Sequence, residues 1–229
     1  MRALPQILAI TSLLAFGIPM IPIPEAAGLF GRSQSSVIRK AKKYNLVPVT
    51  DAAPGVFVDM RYKFTSAANK PLYVKDMPCL IHGGAGKKLR NAQREVASQG
   101  YALKIWDAWR PPEAHKALWD AVKDPRYVVP PEKGLSWHCY GISIDLTLVK
   151  TDGSPVKMPT KFDVFTKQAA SNYTGNDPEI KKNLSVLQNA MRNAGFTKIN
   201  DEWWHFDDKT SAKKVYRVTA KDLGIDLPD

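Results

Sequence analysis

Two short segments of this chain hold the groups that bind a metal and put it to work: Ser136-Trp137-His138-Cys139-Tyr140-Gly141-Ile142-Ser143-Ile144-Asp145 and Glu202-Trp203-Trp204-His205. They supply two imidazoles, one carboxylate ligand and one spare carboxylate. Three protein ligands leave a coordination position open for water, and an acid that does not bind the metal can take that water's proton. Singly, each residue has a plainer reading. A lone buried His is ordinarily a hydrogen-bonded core residue, and an Asp after Ile-Ser-Ile could cap a strand end. The chain has only 4 His, however, and two of them fall in carboxylate-containing motifs flanked by bulky apolar residues. Together they predict a metallopeptidase.

These side chains need elements to aim them. Ile142, Ile144, Leu146 and Leu148 alternate with Ser143, Asp145 and Thr147, so a strand over 142–149 buries its aliphatic face and presents Asp145 on the other. Gly141 lets the backbone turn, so that His138 can swing toward the same metal. Glu202 and His205 are three apart and would lie on opposite faces of a flat strand around 203–207, so a turn or bulge is needed if both face one cavity. Leu103, Ile105 and Asp107 alternate with Lys104, Trp106 and Ala108, which predicts a strand over 102–108 with Arg110 emerging at its end. Arg110 by itself reads equally well as a surface residue before a proline-started helix. Helices are expected over 34–44, 85–98 (Leu89, Ala92 and Val96 inward), 113–123 and 179–194, the last carrying Ile180, Leu184, Leu187 and Met191 on one stripe. With a strand over 56–62 the layout is α+β.

The segments Ser136-x-His138-x-x-Gly141-x-x-x-Asp145 and Glu202-x-Trp204-His205 resemble the zinc D-alanyl-D-alanine dipeptidases, the group that includes the vancomycin-resistance type. Further similar stretches are Val58–Tyr62, Asn69 with Pro71-Leu72-Tyr73, Ile105–Pro111, Asp145–Leu148 and Met158–Asp163, so the likeness runs from about residue 45 to 210. The resemblance implies a single domain whose central, mostly antiparallel sheet is flanked by helices and carries one Zn2+. His138, Asp145 and His205 would be the ligands. Glu202 would be general base and then proton donor to the leaving amine, and Arg110 would steady the oxyanion. Asp163 would hold the substrate's free amino group, with Ser136 as a second substrate-binding residue. The implied reaction is hydrolysis of D-Ala-D-Ala to two D-alanines. The alternatives are a zinc carboxypeptidase or endopeptidase acting on longer peptidoglycan peptides, and a non-catalytic, zinc-stabilised envelope module with Glu202 inert. Trp137, Cys139, Tyr140 and Ser143 depart from the family's usual residues and bear on substrate preference. A dipeptidase must also bind its substrate's carboxylate, and no residue stands out for that.

At 229 residues, 44% hydrophobic and 24% charged, the composition is that of one ordinary globular domain. Residues 1–27 differ: Met1-Arg2, an apolar run from Ile7 to Ile18, and small residues at Ala26-Ala27-Gly28 predict a secretory signal peptide, hence export to the periplasm and a mature domain over 28–229 with no stable membrane span. Cys79 and Cys139 either pair or stay as buried thiols. Cys139, next to His138 in what reads as an extended segment, is expected to point away from the metal. The net charge of +11 comes with no nucleic-acid motif, so the lysine runs read as solvated helix faces. His82 before Gly83-Gly84 reads as a structural turn and His115 as an exposed helix-start residue. Core packing accounts for most of the 6 Trp, with Trp137 and Trp204 expected to narrow the pocket.

Overall fold

The computed structural model describes residues 27–67 and 69–228, with side chains from Gln34 onward. The expected signal segment lies outside the described residues apart from Ala27, where the first helix starts. In chain order the elements are α1 (Ala27–Ala41), β1 (Leu46–Pro48), α2 (Val49–Ala52), β2 (Phe57–Val58), β3 (Leu80–His82), α3 (Gly83–Ala97), β4 (Tyr101–Asp107), α4 (Pro112–Val122), β5 (Ser143–Lys150), α5 (Pro178–Asn193), β6 (Thr197–Lys198), β7 (His205–Asp207) and α6 (Ala220–Leu223). The main sheet runs β2-β4-β5-β7-β6, antiparallel except for the β2–β4 pair, and β1 and β3 form a separate antiparallel ribbon. The α+β reading and its mostly antiparallel sheet hold.

One face of the sheet is closed by helices. Leu103 and Ile105 of β4 pair with Leu148 and Leu146 of β5, and all four are buried together with Leu89, Ala92 and Val96 of α3 and Leu184, Leu187 and Met191 of α5. The two helices pack on each other, α3 against β4 and α5 against β5. Asp177 caps α5, its carboxylate accepting from the backbone N–H of Glu179 and Ile180. The other face carries Lys104, Thr147 and, at one end, Asp145.

Register decides what that end presents. Asp145 stands directly opposite His205 in the β5–β7 pairing. On the other side Ile105 faces Leu146 but Asp107 faces Asp145, so β4 carries one extra residue there. This bulge turns Asp107 from the helix-covered face, where simple alternation places it, onto the face of Asp145.

Several expectations shift. The strand expected over 56–62 is confined to Phe57–Val58, and a 3-10 turn follows at Arg61–Lys63. The first helix begins earlier than 34 and ends at Ala41, before a 3-10 turn at Lys42–Tyr44. Residues 137–140 are a 3-10 turn rather than extended, with the Ser136 hydroxyl accepting from the His138 N–H. His115 is fully buried, not exposed, because its Nε2 reaches the Val129 carbonyl at 2.8 Å and ties α4 to the following loop. His82 is structural, its Nδ1 accepting from the Gly84 N–H at the start of α3.

Gly141 ends the 137–140 turn at φ +68°, with its N–H bonded to the His138 carbonyl and its own carbonyl accepting from His82. A Cβ there would lie 2.7 Å from Leu46 Cδ2 and 3.0 Å from the His82 nitrogen. Strain and contact act in the same direction, so Gly141→Ala should destabilise the fold by more than about 1 kcal/mol, read as a lower urea midpoint at unchanged slope. An unchanged midpoint would show that the turn relaxes freely.

Candidate active site

Three electron-pair donors from three elements meet at the end of the sheet. His138 Nε2 lies 3.2 Å from His205 Nδ1, His205 Nδ1 lies 2.9 Å from Asp145 Oδ1, and His138 Nε2 lies 3.4 Å from Asp145 Oδ2. The opposite ring nitrogens fix both tautomers. His138 Nδ1 sits 2.7 Å from the Ala108 carbonyl, which can only accept, so this nitrogen carries the hydrogen and Nε2 presents a lone pair. His205 Nε2 donates to Asp207 Oδ1 at 2.9 Å, leaving Nδ1 as the free acceptor. Asp207 is held in turn by the Ser143 hydroxyl, which donates to the same oxygen.

Three lone-pair atoms packed this closely repel one another unless a positive charge sits among them. In the bare protein a proton on His205 answers the need. Burial alone would lower the His205 pKa, but its hydrogen bonds to Asp145 and Asp207 outweigh that and hold it well above the usual value. Burial likewise works against ionised Asp145, yet the neighbouring imidazoles of His138 and His205, which share the added proton in the bare protein, keep it far below the ordinary carboxylate range. A metal ion answers the same need. Tetrahedral zinc with bonds of about 2.0–2.1 Å separates its donors by about 3.3 Å, close to the spacings found. The donor set, two neutral imidazoles and a carboxylate with backed ring nitrogens, fits such an ion.

Glu202 remains outside the triad. The chain turns between Glu202 and His205, with the His205 N–H directed at the Glu202 carbonyl at 3.4 Å, and this turn brings Glu202 Oε2 to 3.9 Å from His205 Nδ1. Both residues thus face one cavity, as the spacing required. Burial raises the Glu202 carboxyl to about 8, His205 opposing and Asp145 adding to the rise.

Arg110 follows β4 and is buried, with Nε 2.9 Å and one terminal nitrogen 2.7 Å from Asp107 Oδ2. Its guanidinium lies 5.1 Å from the Tyr62 ring centre and its nearest nitrogen 3.6 Å from Asp145 Oδ2. Asp107 also accepts from the Tyr73 hydroxyl at 2.7 Å. Asp163 sits across the cavity at φ +57°, accepting from the Tyr62 hydroxyl at 2.9 Å. Burial, then the nearby charge of Asp145, raises its carboxyl to about 7.

His138, Asp145, His205, Glu202, Arg110, Asp163, Tyr62 and Ser136 line a cleft of about 390 Å³. This is at the small end of the roughly 300–1,000 Å³ typical of small-molecule sites. Trp137 lines it as expected. Trp204 does not: it is fully buried among Trp203, Phe162 and Phe165, so it supports the wall from behind. Both cysteines are buried, unpaired thiols outside the triad, and burial pushes Cys139 up to about 12.

Asp107, Asp207 and Tyr62 have no assigned part in the sequence reading. His205-Phe206-Asp207 is an alternating strand triplet, so Asp207 was findable on the face of His205. Asp107 gave a weaker signal, an acid in an apolar run with Arg110 three residues on. Nothing local marks Tyr62 as a partner for Asp163.

Known proteins share this arrangement's sequence. A family model described as D-ala-D-ala dipeptidase matches residues 42–222. A D-alanyl-D-alanine dipeptidase of Escherichia coli (strain K12) is 31% identical over 162 residues, covering 71% of this chain and 83% of that protein. One from Enterococcus faecium is 30% identical over 138 residues, covering 52% and 68%, and one from Enterococcus faecalis is 29% identical over 136 residues, covering 52% and 67%. With a match extending from the end of α1 to α6 and spanning every donor at the sheet end, the chain belongs to the D-ala-D-ala dipeptidase family, a family of zinc metallopeptidases.

Proposed function

We propose that this chain hydrolyses D-Ala-D-Ala to two D-alanines, using one zinc ion held by His138, Asp145 and His205. The observation that carries the reading is the convergence of three donor atoms with a fourth group, Glu202, left unligated at 3.9 Å from His205 Nδ1. When bound, zinc supplies Lewis acidity, acidifying a water and polarising the scissile carbonyl. The protein's own groups account for the remaining steps. Glu202 takes a proton from the attacking water and passes it to the amide nitrogen as the C–N bond breaks, so one product gains hydroxyl and the other gains hydrogen.

Arg110 answers the negative charge that develops on the carbonyl oxygen. Asp107 holds its guanidinium by two nitrogens and Tyr62 lies against it, so little reorganisation is needed as that charge appears. Asp163 binds the free ammonium of the substrate, and Ser136 lines the cleft as a further polar contact. A cleft of about 390 Å³ favours a dipeptide over a long chain. Export through a cleaved leader, with a part in recycling wall dipeptide, goes with this reading. Among the described residues no helix is long and apolar enough to cross a membrane.

The zinc-loaded chain should release alanine from D-Ala-D-Ala and leave a pentapeptide ending in D-Ala-D-Ala intact, followed by amino-acid analysis. Cleavage of the pentapeptide alone would mark a carboxypeptidase, and cleavage of neither would mark a binding module.

Glu202→Ala should keep stoichiometric zinc by elemental analysis yet lose at least about a hundredfold in kcat, within the range of general acid–base catalysis, whereas His205→Ala should lose both. An active Glu202→Ala would remove the proposed base. Arg110→Lys keeps the charge but not the fork, and its kcat should fall by about 10²–10³ with a smaller change in KM.

Protonation gives a separate handle. Without metal, Asp163 titrates at about 7 and Glu202 at about 8, while unfolded carboxyls titrate near about 4. The folded chain therefore holds protons in that interval that the unfolded chain releases, and His205, also raised, acts in the same direction. The stability this protonation gives is complete below about pH 4 and is lost as pH rises toward about 8. In the presence of a chelator the urea midpoint should be lower at pH 8 than at pH 5. A midpoint that rises over this range would contradict the buried, protonated site.

A further inference from the structure

The two glycines after His82 take no part in the chemistry above, yet each admits a neighbouring turn to the start of α3. A Cβ on Gly83 would lie 2.5 Å from Asn45 Oδ1, and one on Gly84 would lie 2.5 Å from Ser211 Oγ. Asn45 follows the 3-10 turn at Lys42–Tyr44, and Ser211 belongs to another over Lys209–Lys214. With no side chain on either glycine, both turns pack directly on α3. Each is also tied there. The Asn45 carbonyl accepts from the Gly83 N–H at 2.8 Å, and Asp208 accepts from the Thr210 and Ser211 N–H and, at 2.6 Å, from Lys88 of α3.

Between these turns and α3 lies a cavity of about 720 Å³ that has no lining residue in common with the catalytic cleft. Lys42, Lys87, Arg90, Lys213 and Lys214 line it, against a single carboxylate, Asp51. Arg90 is held to the wall by the Ala52 carbonyl at 2.6 Å. The four lysine ammonium groups make no hydrogen bond or ion pair among the described residues, whereas Lys88, Lys116, Lys123 and Lys157 each meet a carboxylate. Along the chain these lysines read as separate solvated helix faces. The fold instead gathers them from three distant segments around one recess, where like charges without a counter-charge repel. We propose that this cavity binds a compact, soluble organic anion carrying two phosphate groups. Each phosphate brings about 1.5 to 2 negative charges near neutral pH, so two of them match the four uncompensated ammonium groups. Val47, Pro48 and Ala52 supply an apolar wall for the carbon skeleton between the phosphates. His82 adds no charge to the recess, since burial lowers its pKa and its Nδ1 already accepts from the Gly84 N–H.

Calorimetry at low salt tests the site with fructose 1,6-bisphosphate as probe. It should bind the full chain at least about tenfold more tightly than inorganic phosphate does, because the second phosphate is then held by the opposite wall. Affinity should be the same with and without zinc, since the recess lies apart from the cleft. Lys87→Glu combined with Lys213→Glu should weaken binding at least about tenfold, with a urea midpoint no lower than that of the wild-type chain. Lys181→Glu combined with Lys182→Glu makes the same change in net charge on the exposed side of α5 and should bind as the wild-type chain does. The proposal is overturned if the bisphosphate binds no more tightly than inorganic phosphate, if the Lys87 and Lys213 pair binds unchanged, or if the α5 pair loses as much. It is overturned in favour of a lipid headgroup if vesicles containing phosphatidic acid pellet the wild-type chain but not the Lys87 and Lys213 variant, while calorimetry detects no bisphosphate binding.

Discussion

Mutual repulsion among three electron pairs organises this molecule. His138 Nε2, His205 Nδ1 and Asp145 stand within 3.4 Å of one another across the closest contacts, and no neutral arrangement of their own hydrogens satisfies all three. A cation resolves the conflict, whether proton or metal. Much of the surrounding structure prevents the three from relaxing apart: the β5–β7 register pins Asp145 to His205, the 137–140 turn pins His138, and Ala108 and Asp207 hold the far sides of the two rings. Donors held in this way would take up a cation with little rearrangement.

A second buried charge system stands beside the first. Arg110 is enclosed by Asp107, Tyr62 and Tyr73, so its positive charge is matched at rest and aimed into the cleft. Breaking such a pair leaves an uncompensated charge in low dielectric, commonly a loss of about 3–5 kcal/mol. The network therefore couples the fold's stability to the orientation of the guanidinium that lines the cleft.

Much of this was legible in the sequence because its signals are local. Alternation in 142–149 announced a strand with Asp145 turned out of the core, the stripe Leu184, Leu187 and Met191 announced α5, and the three-residue offset of Glu202 and His205 demanded the turn that is found. What escaped depends on register between distant strands. Asp107 reads as core-facing by period-two counting, and only its pairing with Asp145 shows the extra residue that reverses it. His115 looked like a solvated residue at a helix start because its partner, the Val129 carbonyl, lies in a loop whose path no periodicity describes. Trp204 is expected to narrow the pocket, but adjacent residues in a turn point apart and its ring joins the aromatic cluster behind.

The single extra residue in β4 also bears on how this protein can change. Loops around the cleft tolerate gains and losses of length at little thermodynamic cost, since closure entropy varies slowly with loop size. The strand does not share that freedom. Without the bulge, regular pairing would set Trp106 opposite Asp145 and Asp107 opposite Ile144, rotating the acid into the helix-packed layer and stranding Arg110 without its counter-charge. Drift in loop length is thus open to lineages carrying this fold, while a register slip that erased the bulge would bury Asp107 on the wrong face and leave Arg110 unpaired in a single event.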